Sequence, residues 1–145
     1  MYPRANTLGI LIHNNQILLE EQYGIHSRGT GTFYRPIGGT IELGERSEEA
    51  LVREYKEEIQ ADIFVIQYLT CIENIYKIEE NIGHEITQIH LVEFKDKGLY
   101  ERDSFLVTEG DKITKAVWIS IKDVLNSDMI VYPNGLQELL EEVIF

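Results

Sequence analysis

The chain has 145 residues, 43% of them apolar or aromatic and 26% charged, and its 13 basic against 25 acidic side chains leave a formal charge of -12. A chain of this length can bury roughly two-thirds of its unfolded surface, so a single soluble domain over residues 1–145 needs no structural metal to fold, and one cysteine, Cys71, excludes an internal disulfide. No apolar run reaches the ~18 residues of a membrane span, no secretory signal is visible, and the acidity opposes binding of a nucleic acid backbone, which draws its affinity from Lys and Arg; the cytoplasm is the expected compartment, and a phosphate ligand would need an added cation.

In chain order, Thr7 to His13 and Gln16 to Gln22 are apolar or β-favouring runs separated by Asn14-Asn15, whose side chains tolerate a left-handed turn, so a β-hairpin is expected. Gly24 to Gly31 is small, polar and basic and reads as a surface loop. A strand from Thr32 to Pro36, a break at Gly38-Gly39 and a short alternating segment from Thr40 to Leu43 follow. Ser47 to Ile59 carries the clearest helical signals, with Ser47 as N-cap and Glu48 and Glu49 opposing the positive end of the dipole. Two long β-type runs, Ile63 to Ile78 and His84 to Lys95, joined through Glu80-Asn81-Ile82-Gly83, are expected to pair. Asp96 to Lys112 is polar without clear period, a kind of long irregular connection that is often functional. Lys115 to Ser120 resumes a strand, and Ser120 with Asp123 suggests a short helix. Asn134 and Gln137 make an N-cap pair for a last helix on which Leu136, Leu139, Leu140, Val143 and Ile144 recur at helical spacing. The fold class is α+β: a mixed sheet with a central helix and a C-terminal helix covering it.

The chemistry concentrates in GGTIELGERSEEALVREYKEEIQA, residues 38–61. At ~100° per residue, Glu54, Glu57 and Glu58 share one side of the helix within a ~100° arc, and Leu51, Tyr55, Ile59 and Val52 lie on the neighbouring side. Three like charges within a turn repel one another unless the face is solvated or holds a cation. A dense, oxygen-only anionic cluster suits a hard divalent ion such as Mg²⁺ or Mn²⁺, which commonly bridges carboxylates to substrate phosphates. The alternative is an acidic, solvent-facing helix on an acidic protein, and the residues around the cluster weigh against it. The segment resembles the signature of the Nudix hydrolases, G-x5-E-x7-R-E-U-x-E-E-x-G-U, with U a bulky apolar residue. Gly39, Glu45, Arg53, Glu54, Tyr55, Glu57 and Glu58 stand at the family's spacing, whereas Gln60 replaces the last glycine and Ala61 is a small residue at the last U. That glycine commonly ends the helix in a left-handed conformation, which Gln adopts at a cost. The order of strands and helices along nearly the whole chain also resembles the family's α/β/α sandwich.

The resemblance implies hydrolysis of the pyrophosphate of a nucleoside diphosphate linked to another moiety, by metal-assisted attack of water. It implies Glu54, Glu57 and Glu58 as ligands of Mg²⁺ or Mn²⁺, with the backbone carbonyl of Gly38 beside them. Glu45 and Arg53 would pair across the loop-to-helix junction behind Gly39, a surface ion pair worth at most ~1 kcal/mol being the plainer alternative. The proton acceptor would be Glu54 or Glu57, or a glutamate outside the box: Glu109, also a candidate ligand, or Glu85. Arg35 and Arg28 are the side chains expected near a phosphate, the alternative for Arg35 being a pair with one of the many carboxylates.

Other residues are discounted. His84 and His90 lie ~20 Å apart along one strand and cannot share an ion, and His13 and His26 lack partners at ligand spacing. Cys71, Trp118, Tyr68 and Tyr76 read as packing residues, Cys71 as a buried thiol. A nucleotide-sensing module without catalysis is the competing function; a retired site would usually have lost one of Glu54, Glu57 or Glu58. Isomerase chemistry on a prenyl diphosphate, known on related scaffolds, lacks its cysteine pair here. Dimerisation is common among similar folds, so a homodimer is a further expectation.

Overall fold

A computed structural model of the chain describes residues 2–144. Nine strands, three α-helices and one 3₁₀ turn are found among them. The order is β1 (Arg4–Ile10), β2 (Ile12–His13), β3 (Gln16–His26), β4 (Gly29–Arg35), β5 (Gly38–Thr40), α1 (Ser47–Ile59), β6 (Ile63–Ile78), β7 (Asn81–Phe94), a 3₁₀ turn (Lys97–Glu101), β8 (Ser104–Glu109), β9 (Lys112–Ser120), α2 (Ile121–Asn126) and α3 (Leu136–Ile144). One sheet is mixed, in the order β5-β1-β7-β6, with β1 parallel to β7. The other is antiparallel, in the order β2-β3-β9-β8, with β4 also pairing β3.

Alternation along the strands divides the core in two. Leu11 and Leu18 pack with Leu51, Tyr55 and Ile59 of α1, whereas Ile10, Ile17 and Leu19 pack with Leu136, Leu139 and Leu140 of α3. Successive side chains of a strand point to opposite faces, so neighbours in sequence bury against different helices and the sheets end up between them. The α/β/α sandwich expected from the sequence is formed this way, with two sheets in place of the one anticipated. Each fully buried Leu or Ile contributes about 1.5–3 kcal/mol, and the duplicated core holds β1 and β3 from both sides.

Several local expectations change. Only Ile12-His13 of the first run pairs across the Asn14-Asn15 turn, where both asparagines have positive φ; Arg4 to Ile10 joins the other sheet beside β7. Gly24 to Gly31 is the closed end of the β3–β4 hairpin, since glycine fits an extended edge as well as a loop. The polar stretch from Asp96 to Lys112 contains β8, with Phe105 and Val107 buried and Leu106 exposed. The β6–β7 pairing forms and reaches further than expected, its turn lying at Glu79 and Glu80. Ser47 does not cap α1: its Oγ lies 2.9 Å from His90 Nε2, while Glu49 accepts from the Arg46 N–H at 3.0 Å. Asn134 likewise accepts from Arg28 and leaves α3 to begin at Leu136. Cys71 is exposed, because β6 is an edge strand with one face toward solvent.

Candidate active site

Burial of Leu51, Tyr55 and Ile59, with the Tyr55 hydroxyl donating to the Gly9 carbonyl at 3.3 Å, fixes how α1 sits on β1. The acidic side of the helix is thereby turned toward β5 and the end of β8. That side is unevenly covered. Glu57 is exposed, Glu54 is largely covered, and Glu58 is 2% exposed. Val52, placed by the wheel on the apolar side, is exposed.

Arg53 organises the junction. Its Nε and Nη2 donate to Glu45 Oε2 and Oε1 at 2.8 and 3.0 Å, its Nη2 also reaches the Thr40 carbonyl at 3.0 Å, and its Nη1 donates to Glu54 Oε1 at 2.9 Å and Glu57 Oε2 at 3.2 Å. The forked bond from Arg53, with a backbone bond from Glu42, holds the Glu45 carboxyl below its ordinary range, and the Glu45 carboxylate raises the Arg53 guanidinium in turn. Gly39 leaves room beside it: a Cβ there would lie 2.5 Å from Glu54 Cδ, so any other residue would push that carboxylate away from β5. Gly38 is equally confined, its missing Cβ facing the Thr7 carbonyl across the β1–β5 ladder.

Beneath this junction lies a group of three acids, of which the motif includes only Glu58. One carboxylate oxygen from each of Glu20, Glu58 and Glu109 falls within 4.8 Å of the other two. Glu20 is on β3 and is 1% exposed; it accepts from the Thr114 hydroxyl at 2.6 Å and lies 3.6 Å from Arg35 Nε. Glu109 ends β8, and its Oε2 accepts from Arg35 Nη2 at 3.3 Å. Neither oxygen of Glu58 has a hydrogen-bond donor among the described residues. Burial first, then the charges of Glu20, Glu54 and Glu109, push its carboxyl up to about 9. Glu20 escaped the sequence reading, although an acid closing the apolar run Ile17 to Leu19 is a signal that a buried charge needs a partner.

A cavity of about 360 Å³ opens on this cluster, lined among others by Arg4, Gly39, Arg53, Glu54, Glu57 and Glu109. Glu85 does not join it. It sits on β7, 3.5 Å from Arg4 Nη1, and lines a neighbouring cavity of about 220 Å³ that also borders Arg35. Arg28, in the β3–β4 turn, donates at 2.8 Å to the Oδ1 of Asn134, which lines that second cavity. Tyr76 lines the same cavity instead of serving only as packing. The residues fit a divalent ion: Glu58 offers two buried oxygens without a donor, its neighbours supply oxygens alone, and Gly39 leaves Glu54 free to approach.

A family model described as "NUDIX domain" matches residues 3–139. The chain belongs to this family. Its Nudix fold is shared by solved structures at low identity. One is the MutT NUDIX hydrolase from Burkholderia pseudomallei, 19% identical over 99% of each chain with a TM-score of 0.71. Another is a NUDIX hydrolase from Nitrosomonas europaea, 16% identical over 99% of this chain and 89% of the other, TM-score 0.70. An ADP-ribose pyrophosphatase from Streptococcus suis is 14% identical over 99% and 92%, TM-score 0.62. Membership carries the enzyme reading made from the box: the chain is a Nudix hydrolase. No helix among the described residues is long and apolar enough to cross a membrane.

Proposed function

We propose that this Nudix hydrolase cleaves the pyrophosphate bond of a nucleoside diphosphate linked to another moiety, in the cytoplasm, with Mg²⁺ or Mn²⁺ as cofactor. The observation that carries the reading is the buried Glu58 carboxyl, without a hydrogen-bond donor among the described residues, facing Glu20 and Glu109 beneath an open cavity. Leaving a buried carboxyl without a hydrogen-bond donor costs about 1–3 kcal/mol, which a folded protein sustains for a ligand.

Glu54, Glu57, Glu58 and Glu109, with the Gly38 carbonyl, would hold the ion. Bound there, it would lower the pKa of a water molecule and offset charge on the phosphate oxygens. The remaining work falls to the chain itself. Arg53 aims Glu54 and Glu57 and ties them to the Glu45 loop. Arg4 borders both cavities, and Arg35 spans from the second cavity to Glu109, so a pyrophosphate between the cavities meets two guanidinium groups. Glu109, at the exposed β8 end, accepts the proton of the attacking water, and Arg35 orients its carboxylate.

The test is a panel of nucleoside diphosphate derivatives assayed for product release with Mg²⁺ and Mn²⁺, on wild type and on Glu57→Gln and Glu58→Gln. Loss of several orders of magnitude in both variants, with folded protein retained, supports the reading. Near-wild-type turnover in both removes it.

A further inference from the structure

We infer that the 220 Å³ cavity selects a nucleobase bearing a keto oxygen over its amino-bearing counterpart, uracil over cytosine and hypoxanthine over adenine. The inference rests on the proposed function for the ligand's being a nucleotide, and the polar atoms of the cavity wall supply the rest. Asn6, 5% exposed on β1, turns its Oδ1 to the Thr87 hydroxyl, which donates to it at 2.6 Å. An amide that points its oxygen one way points its N–H groups another, so Asn6 has donors left for a ligand. Gln22, buried on β3, is used alike: its Oε1 accepts from Lys112 Nζ at 3.5 Å. Asn134 gives its Oδ1 to Arg28 at 2.8 Å.

His26 borders the same wall. Its Nδ1 accepts from the Arg28 backbone N–H at 3.2 Å, so the ring carries its proton on Nε2, and the Tyr132 hydroxyl at 2.9 Å faces the same acceptor. Its Nε2 is enclosed by the fold, away from the cavity, and has no partner among the described residues. Glu85, the carboxylate on this wall, is paired with Arg4. Three amide side chains, Asn6, Gln22 and Asn134, have thus committed their oxygens to the protein and kept their N–H groups, on a wall that also carries the rings of Phe33 and Tyr76.

A ligand edge here is rewarded for lone pairs and penalised for each N–H it cannot place. Exchanging an amino group for a keto group adds an acceptor lone pair to the base and removes one N–H, whether the ring is a pyrimidine or a purine. Charge sits on the side shared with the acid cluster, where Arg4 and Arg35 lie, which orients the base inward and the pyrophosphate toward the carboxylates.

Affinities of the metal-free protein for the 5′-diphosphates of uridine, cytidine, inosine and adenosine, measured calorimetrically with a chelator present, test this. The keto member of at least one pair should bind about tenfold tighter or more. Asn6→Asp and Gln22→Glu replace a donor by an acceptor at constant shape, the second beside Lys112 where its charge is compensated. At least one of the two should bring the ratio down to about threefold or less. Ratios below about threefold in both pairs for wild type, no saturable binding of any of the four, or a preference that persists in both variants would overturn the inference. Binding is read without turnover: failure to cleave would sink the proposed function alone, and cleavage without a keto preference would sink this inference alone.

Discussion

Arg53 holds Glu45 by two parallel hydrogen bonds of 2.8 and 3.0 Å, and the same guanidinium reaches Glu54 and Glu57 on its own helix. One side chain thus ties the loop after β5 to two of the five glutamates on α1. Lysine is a point charge that cannot fork across these partners. Arg53→Lys is therefore expected to lower kcat by about 10–100-fold while circular dichroism and the melting temperature stay near wild type. A variant that keeps full activity would reduce the pair to surface decoration.

The raised Glu58 carboxyl gives a pH dependence of defined sign. The native state keeps a proton that the unfolded chain releases near the ordinary carboxylate pKa of about 4.3. Stability of the metal-free protein is therefore fully present below that value and is lost as pH rises through the native pKa, by up to about 1.4 kcal/mol per pH unit. Urea unfolding at pH 5, 7 and 9 should show the decline in wild type and a flatter profile in Glu58→Gln. The substitution that ends catalysis should make the metal-free protein more stable at pH 8, the trade expected where a fold strains a group for function.

Gln60 closes α1 with φ 54° and ψ 37°, the left-handed conformation, and its Nε2 donates to the Glu57 carbonyl at 3.1 Å. The side chain offsets part of a strain that glycine does not feel. Gln60→Gly should stabilise by up to about 1 kcal/mol, a rise of about 2–4 °C in Tm by calorimetry, with turnover unchanged because the carboxylates lie earlier on the helix.

What the sequence disclosed followed from local rules. Seven box residues at fixed spacing located the junction around Arg53, the Asn-Asn pair gave a tight turn, and the leucines of α3 gave its buried face. Residues that act only after distant strands pair were hidden. Glu20 joins the acid cluster because β3 lies between β4 and β9, bringing Arg35 and Thr114 to it. The strand β8 was masked by polar residues around Phe105 and Val107, whose alternation was the available signal. The reach of Arg4 into both cavities likewise depends on β1 leaving the hairpin for the mixed sheet.

The two outlying glutamates separate by position. Glu109 lies in the acid cluster and Glu85 beside Arg4 at the second cavity. Glu109→Gln should lower kcat by about 10²–10⁴-fold, the range for loss of a general base. Glu85→Gln should act chiefly on KM through the freed Arg4. A fall in kcat confined to Glu85→Gln would exchange these roles.

Titration of Mn²⁺ into the purified protein, followed by electron paramagnetic resonance of the free ion, tests the central claim most directly. Wild type is predicted to bind the ion saturably at pH 8, and Glu58→Gln and Glu57→Gln to bind it at least about tenfold more weakly. Equal affinity in wild type and both variants, or no binding by wild type at millimolar ion, would contradict the assignment of these carboxylates as a metal site.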